Sequence, residues 1–110
     1  MDKQINRAGW PAFADQFSQN NQGRPVCVEV ASQILGDETM AEKTPLVAID
    51  FDPQGQGTIL ITVGQGETTM THTIPVPETV WLRSDQKGKA LALEIIARDK
   101  SQTILRFEDV

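Results

Sequence analysis

The sequence predicts a mainly β protein, a compact antiparallel barrel or sandwich of six to seven strands with one N-terminal helix. Apolar residues recur at every second position in short runs such as 58–63 and 89–95, a period that buries one face of a strand and leaves the other in water. Gly, Pro and Asp separate these runs, as turns between strands require. Because an open sheet would expose long edges, short strands at this spacing favour a barrel or a sandwich. With 110 residues, the chain is expected to form a single domain over residues 1–110.

The helix is predicted over about residues 10–20. Trp10, Phe13 and Phe17 recur at i, i+3 and i+7, so the three aromatic rings share one helix face. Gly23 can adopt the left-handed backbone conformation that ends a helix. A helix of three turns is marginal on its own, and we therefore expect all three rings to be buried against the sheet.

The sheet is predicted over about residues 25–108. Residues 36–45 are polar and flanked by helix and strand breakers, so they are interpreted as a loop. Pro75 and Pro77 cannot donate hydrogen bonds to a strand ladder, and they mark a corner between two strands. The strand candidates are residues 25–31, 46–52, 58–63, 69–75, 79–83, 89–98 and 102–108.

Composition and charge argue for an acidic cytoplasmic protein. Ten basic and 15 acidic residues give a net charge of −5, whereas nucleic-acid binding needs a basic surface. No apolar run is long enough for a membrane span, and the N-terminus lacks the apolar segment of a secretory signal. The single cysteine, Cys27, lies in an apolar strand and is expected to be a buried free thiol, which fits a reducing compartment.

No motif of a catalytic, cofactor or metal site is complete. Asp50, Asp52 and Gly55 begin like a calcium loop, but Ile61 occupies the twelfth position, where such a loop needs Glu. The Gly-rich turns lie between two strands, whereas a phosphate site needs a helix after the glycines. Cys27 has no activating neighbour in sequence. We therefore expect no catalytic residues, no cofactor and no bound metal.

His72 is the one histidine of the chain. Alternation places it on a strand face with Met70 and Ile74, and a general base would need an orienting partner. The simpler interpretation is a half-buried side chain bonded to a backbone carbonyl or a carboxylate. The alternative is a small-ligand or hydrolytic site formed by His72 with Asp50 and Asp52.

A repeated pattern near the C-terminus predicts a contact surface. In three strands a bulky apolar residue is followed two positions later by Arg. Both residues face outward if the intervening apolar residues form the core, and Arg98 is then expected to stack on Trp81. Trp and Arg are enriched in protein interfaces, although the helix or the arginine stems could cover this face instead. The predicted interface residues are Trp81, Arg83, Ile96, Arg98, Ile104 and Arg106.

Eight segments support a family resemblance: Trp10-Pro11-Ala12-Phe13, Phe17-Ser18, Val28-Glu29-Val30, Pro45-Leu46, Ile49-Asp50-Phe51-Asp52, Leu60-Ile61-Thr62-Val63-Gly64, His72-Thr73-Ile74-Pro75 and Leu105-Arg106-Phe107. Through them the chain resembles, over nearly its full length, a bacterial family described only as a domain of unknown function. Family members often have Gly in the last hairpin, where this chain has Asp99-Lys100-Ser101, so the turn type differs. The resemblance implies no established activity, cofactor or catalytic residue.

The expected function is therefore non-catalytic. We expect a small interaction or assembly module that forms a homodimer or binds a protein partner, with neither nucleic acid nor membrane as a partner. A flat contact over Trp81 would favour this function, and a cleft with His72 beside a carboxylate would favour the alternative site.

Overall fold

In the computed structural model, which describes residues 1–34 and 36–110, eight antiparallel strands form one sheet with a single α-helix. The predicted mainly β fold and its N-terminal helix are confirmed. The strand number is eight rather than six or seven, and over the described residues the sheet does not close into a barrel. The sheet order is β1-β6-β7-β8-β2-β3-β4-β5. The elements are β1 (Asp2–Gln4), a 3₁₀ turn (Arg7–Gly9), α1 (Trp10–Asn21), β2 (Pro25–Ser32), β3 (Gly36–Asp52), β4 (Thr58–Gln65), β5 (Thr68–Pro75), β6 (Pro77–Ser84), β7 (Ala90–Ala97) and β8 (Gln102–Phe107).

The long strand β3 turns the sheet back on itself. Its first part pairs with β2 up to Pro45, and its second part pairs with β4 from Leu46 onward. The prediction of a loop over residues 36–45 is therefore wrong. The polar side chains of that segment are compatible with a strand because most of them are exposed to solvent. As a result, β5 lies over β8, although the two strands are four places apart in the sheet order.

The core lies between the two halves of the sheet and is closed by α1. Trp10 and Phe17 are buried, and their rings pack against Phe51 and Phe107 at centroid distances of 5.4 and 5.8 Å. Phe13 is only partly buried, so the expectation that all three rings are buried is wrong for this residue. The next residue, Ala14, is buried instead.

A hydroxyl group fixes the helix to β3. Ser18 Oγ accepts a hydrogen bond from the Ile49 backbone N–H at 2.8 Å and lies 2.8 Å from the Ala14 carbonyl oxygen, to which it can donate. The helix therefore packs on the inner side of the sheet and leaves the outer side of β6–β8 uncovered. No helix in the described part of the chain is long and apolar enough to cross a membrane.

Strands β6, β7 and β8 alternate between core and solvent as their sequences predict. Their inward side chains include Val80, Leu93, Ile95, Leu105 and Phe107, all at most 3% exposed. The residues between them point to the opposite side of the sheet, away from the core.

Candidate functional site

The outer face is the side of strands β1, β6, β7, β8 and β2 that points away from the core. Residues directly opposite each other on neighbouring antiparallel strands share a face. The strand register therefore arranges the outer face into rows that cross the strands. The Ala92 row consists of Asp2, Arg83, Ala92, Arg106 and Cys27, and the Glu94 row consists of Gln4, Trp81, Glu94, Ile104 and Glu29.

The centre of the outer face is a groove of about 500 Å³. Ala92 forms its floor, because a methyl group between Arg83 and Arg106 leaves space that larger side chains would fill. Trp81 and Ile104 line the groove from the neighbouring row, and Trp81 is 38% exposed. A large aromatic ring and an aliphatic side chain thus meet solvent beside two guanidinium groups.

Each arginine of the groove is held by a carboxylate of its own chain. Arg83 donates to Asp2 at 3.0 Å, and this hydrogen bond lowers the pKa of Asp2. Arg106 forms an ion pair with Glu29 across β8 and β2. Glu94, between Trp81 and Ile104 in its row, forms no ion pair among the described residues. The hydrogen bond to Asp2 and, at longer range, the charge of Glu94 raise the pKa of Arg83. Asp2, Glu29 and Glu94 were not predicted as site residues, because their importance depends on a cross-strand register that the sequence does not reveal.

Cys27 lies at the end of the Ala92 row. It is a free thiol, 7% exposed, in contact with Glu29 and Arg106 at 3.7 Å. Burial raises the pKa of Cys27, although the Arg106 guanidinium acts in the opposite direction. The group is therefore a neutral thiol at neutral pH, and it is not an activated nucleophile.

Four of the six predicted interface residues line the groove, namely Trp81, Arg83, Ile104 and Arg106. Ile96 lies on the outer face in the next row, opposite Thr79 and Gln102. Arg98 follows the end of β7 and lies 3.8 Å from Glu78. The residue opposite Trp81 is Glu94, so Arg98 does not stack on Trp81.

His72 and the two aspartates do not form a common site. His72 lies opposite Ile61, which lies opposite Ile49, and both isoleucines are buried on the inner side. Asp50 lies opposite Leu60, the residue before Ile61 in β4. Neighbouring positions on a strand point to opposite sides, and Asp50 and Asp52 are accordingly exposed on the side away from His72.

The environment of His72 is that of a structural side chain. Its Nε2 lies 3.2 Å from the hydroxyl of Thr103, which is itself buried. Burial lowers the pKa of His72, so the imidazole is neutral at neutral pH. The predicted half-buried state is confirmed, but the partner is a hydroxyl rather than a carbonyl or carboxylate.

Elsewhere in the described part of the chain, chemistry-bearing groups do not converge. No group of three or more His, Cys, Asp or Glu side chains is arranged to hold a metal ion there. A second open depression beside Arg98 also contains Arg7, but that guanidinium already donates to the Gln56 carbonyl at 2.9 Å and stacks on Trp10 at 4.9 Å. The outer face is therefore the best-developed candidate surface.

Comparison with known proteins identifies relatives without a described activity. A family model described as "Family of unknown function (DUF5335)" matches residues 1–110. A protein of Aquifex aeolicus (strain VF5) with the name "Uncharacterized protein" is 26% identical over 106 residues, which are 96% of this chain and 91% of the relative. No solved structure matches the chain. The predicted resemblance to an uncharacterised domain family is confirmed, and any function must be argued from the site itself.

Proposed function

The chain belongs to the family of unknown function DUF5335, and we propose that it is a non-catalytic assembly module that forms a homodimer through its outer face. The main support is the composition of the groove, where Trp81 is 38% exposed next to Ile104 and two arginines. Aromatic residues and Arg are enriched in the centre of protein interfaces. We further propose a cytoplasmic location, which the buried free thiol of Cys27 supports.

The opposite side of the same molecule provides an internal comparison. The outward positions of β4 and β5 include Thr62, Thr71 and Thr73, and Asp50 lies on the same side of β3; Leu60, between Asp50 and Thr73, is a large apolar side chain on this face and is partly buried. Short polar side chains of this kind are typical of a sheet face in water. The groove instead contains large apolar groups and long cationic side chains, a difference that solvent exposure alone does not explain.

The arginines of the groove already have carboxylate partners in the monomer. Arg83 pairs with Asp2 and Arg106 with Glu29, and because both pairs are exposed to solvent they hold the side chains only weakly. Their aliphatic stems extend the apolar surface around Trp81. This arrangement favours a protein surface as the partner, since the aliphatic stems remain available and each guanidinium, which has five N–H donors, keeps some of them free.

Charge balance favours a second copy of the chain as that partner. The two rows of the outer face contain two arginines and three carboxylates, a net charge of −1, whereas the whole chain has −5. Two such faces can approach with little repulsion, and each offers both signs of charge to the other. A self-complementary patch closes naturally under two-fold symmetry.

The first prediction is that Trp81→Glu converts the dimer to a folded monomer. Size-exclusion chromatography with light scattering should give twice the chain mass of 12.1 kDa for the wild type and the single chain mass for the variant. The fold should survive, because Trp81 lies outside the core, and circular dichroism and the melting temperature check this.

Thr73→Glu is the matched control, since it adds the same charge at an exposed position on β5. This variant should remain dimeric. A wild-type protein that is monomeric at all concentrations, or a Trp81→Glu variant that remains a dimer, would contradict the proposed function.

A further inference from the structure

We infer that the two copies of the dimer pair in one register, in which the Ala92 row of each copy lies on the Glu94 row of the other. Glu94 then enters the partner's groove between the partner's Arg83 and the partner's Arg106. This inference rests on the proposed dimer and adds the geometry and the residues that select the partner.

Symmetry restricts how two outer faces can meet. Two faces in contact are related by a two-fold axis that lies in the plane between them. The groove is centred on β7, with Ala92 and Glu94 in the middle and β6 and β8 on either side. An axis through this centre that keeps the strands aligned, as packed sheets prefer, runs either along β7 or across the strands between the two rows.

An axis along β7 brings like charges together. It exchanges the positions of β6 and β8, so Arg83 meets the partner's Arg106, and Glu94 meets the partner's Glu94. Like charges placed against each other in an interface are unfavourable. The charge pattern of the face therefore disfavours this register.

An axis across the strands brings opposite charges together. It exchanges the two rows, so that Glu94 faces the partner's Ala92, with a guanidinium on each side in the neighbouring strands. Neighbouring strands are about 4.8 Å apart, which places both guanidinium groups within reach of one carboxylate. The same operation places Trp81 against the partner's Arg83, a favourable cation–π arrangement, and Ile104 against the aliphatic stem of the partner's Arg106.

The remaining features of the groove agree with this register. Asp2 and Glu29 form ion pairs within their own chain, whereas Glu94 forms no ion pair there and acts on its own Arg83 only at longer range. Ala92 leaves the space that an incoming carboxylate needs. Each copy provides both the acidic residue and the basic groove, so the contact is made twice in one dimer.

The test is a charge reversal measured by analytical ultracentrifugation. Glu94→Arg should weaken the dimer by about tenfold or more, because the new guanidinium faces two others. Glu94→Gln, which removes the charge without reversing it, should weaken the dimer less. Glu67→Arg makes the same change in net charge in the exposed β4–β5 turn and should leave the dimer unchanged.

Mixing variants tests the register itself. The double variant Arg83→Glu/Arg106→Glu should also form a weakened dimer, because Glu94 of each copy would face two carboxylates of the other. An equimolar mixture with Glu94→Arg should form a heterodimer, since both contacts are then between opposite charges. Circular dichroism establishes that each variant is folded. If the double variant does not fold, the graded loss from Glu94→Gln to Glu94→Arg remains the deciding measurement.

The outcomes separate this inference from the proposed function. If the wild type is a dimer that Trp81→Glu dissociates, but Glu94→Arg behaves like Glu67→Arg, the register is wrong and the assembly function stands. If Glu94→Arg and the double variant Arg83→Glu/Arg106→Glu are both folded but do not form a heterodimer, the register is also wrong. A monomeric wild type would overturn the proposed function and this inference together.

Discussion

The hydroxyl of Thr103 is buried at 3% exposure, and its side-chain partner is His72 at 3.2 Å. Thr103 lies on β8 and His72 on β5, so this contact connects the two halves of the folded sheet. An unpaired buried hydroxyl would be costly. The imidazole therefore stabilises the packing of β5 over β8, and it does so in its neutral form because burial lowers its pKa.

This contact predicts that stability falls as the pH is lowered through the range in which histidine titrates. The folded-state pKa of His72 is lower than the unfolded value of about 6.5. The unfolded chain therefore binds the proton first, and stability present above about pH 6.5 is lost as the pH decreases. The urea midpoint of the wild type should decrease between about pH 7.5 and pH 5, above the range in which ordinary carboxylates titrate.

His72→Gln should make the urea midpoint nearly constant over the same range, since the chain contains no other histidine. An equal slope in the variant would assign the pH dependence to other groups and would contradict this role of His72.

At the residue scale, the sequence predicts burial more reliably than partners. Alternation placed His72 in a half-buried position and Trp81 on the outer face, and both predictions follow from the two-residue period of a strand. Alternation does not predict the contact between Thr103 and His72. Nor does it predict that Glu94, and not Arg98, lies opposite Trp81. Such pairs depend on the register between distant strands, which the period of one strand does not determine.

At the scale of elements, the sequence predicts best where one face is buried. The aromatic spacing predicts a helix over residues 10–20, and the helix is observed at Trp10–Asn21. The sequence does not predict strand β1 or the first part of β3 as strands, since their side chains are mostly exposed and show no apolar alternation. Their strand conformation is due to backbone pairing with β6 and β2, a long-range effect that local composition does not reveal.

The helix gives a prediction about its own attachment. Phe17→Ala should lower the free energy of unfolding by about 3–5 kcal/mol, the usual effect of deleting a buried Phe side chain. Phe17 is 4% exposed and packs against Phe107 and Phe13. Phe13→Ala should have a clearly smaller effect, because Phe13 is only partly buried. Urea unfolding of the two variants measures both free energies. Equal losses of stability would show that Phe13 is buried as deeply as Phe17 and would contradict this orientation of the helix.

At the scale of the whole molecule, an open sheet leaves strand edges that a closed barrel would not have. Strand β1 is only three residues long and contains charged residues. The first part of β3, which pairs only with β2 among the described residues, contains Asp37, Glu38, Glu42 and Lys43. Short length and charge both discourage the addition of another strand. The edge at β5 has neither protection, since its eight residues contain no Asp, Glu, Lys or Arg.

The hairpin between β4 and β5 shows which backbone groups of this edge are free to pair. Gln65 and Thr68 flank a two-residue turn and are directly opposite each other, so they form a hydrogen-bonded pair. Hydrogen-bonded and non-hydrogen-bonded pairs then alternate along β5. Thr69, Thr71 and Thr73 are in non-hydrogen-bonded pairs, so their backbone N–H and C=O groups point away from β4. The outer face lies on a different part of the molecule, so dimer formation leaves this edge exposed.

We therefore expect slow aggregation of the wild type through β5, and a charge placed at this edge should delay it. Thr71→Lys should lengthen the lag before light scattering rises in concentrated protein held a few degrees below its melting temperature, because Lys opposes strand addition at an edge. Thr62→Lys is the matched control. It adds the same charge on the neighbouring strand and loses the same contact between the Thr62 and Thr71 hydroxyl groups, which are 3.0 Å apart. Equal lags in the two variants would contradict this role of the β5 edge, because both variants change the net charge alike, from −5 to −4; a longer lag for Thr71→Lys alone identifies β5 as the edge through which chains associate.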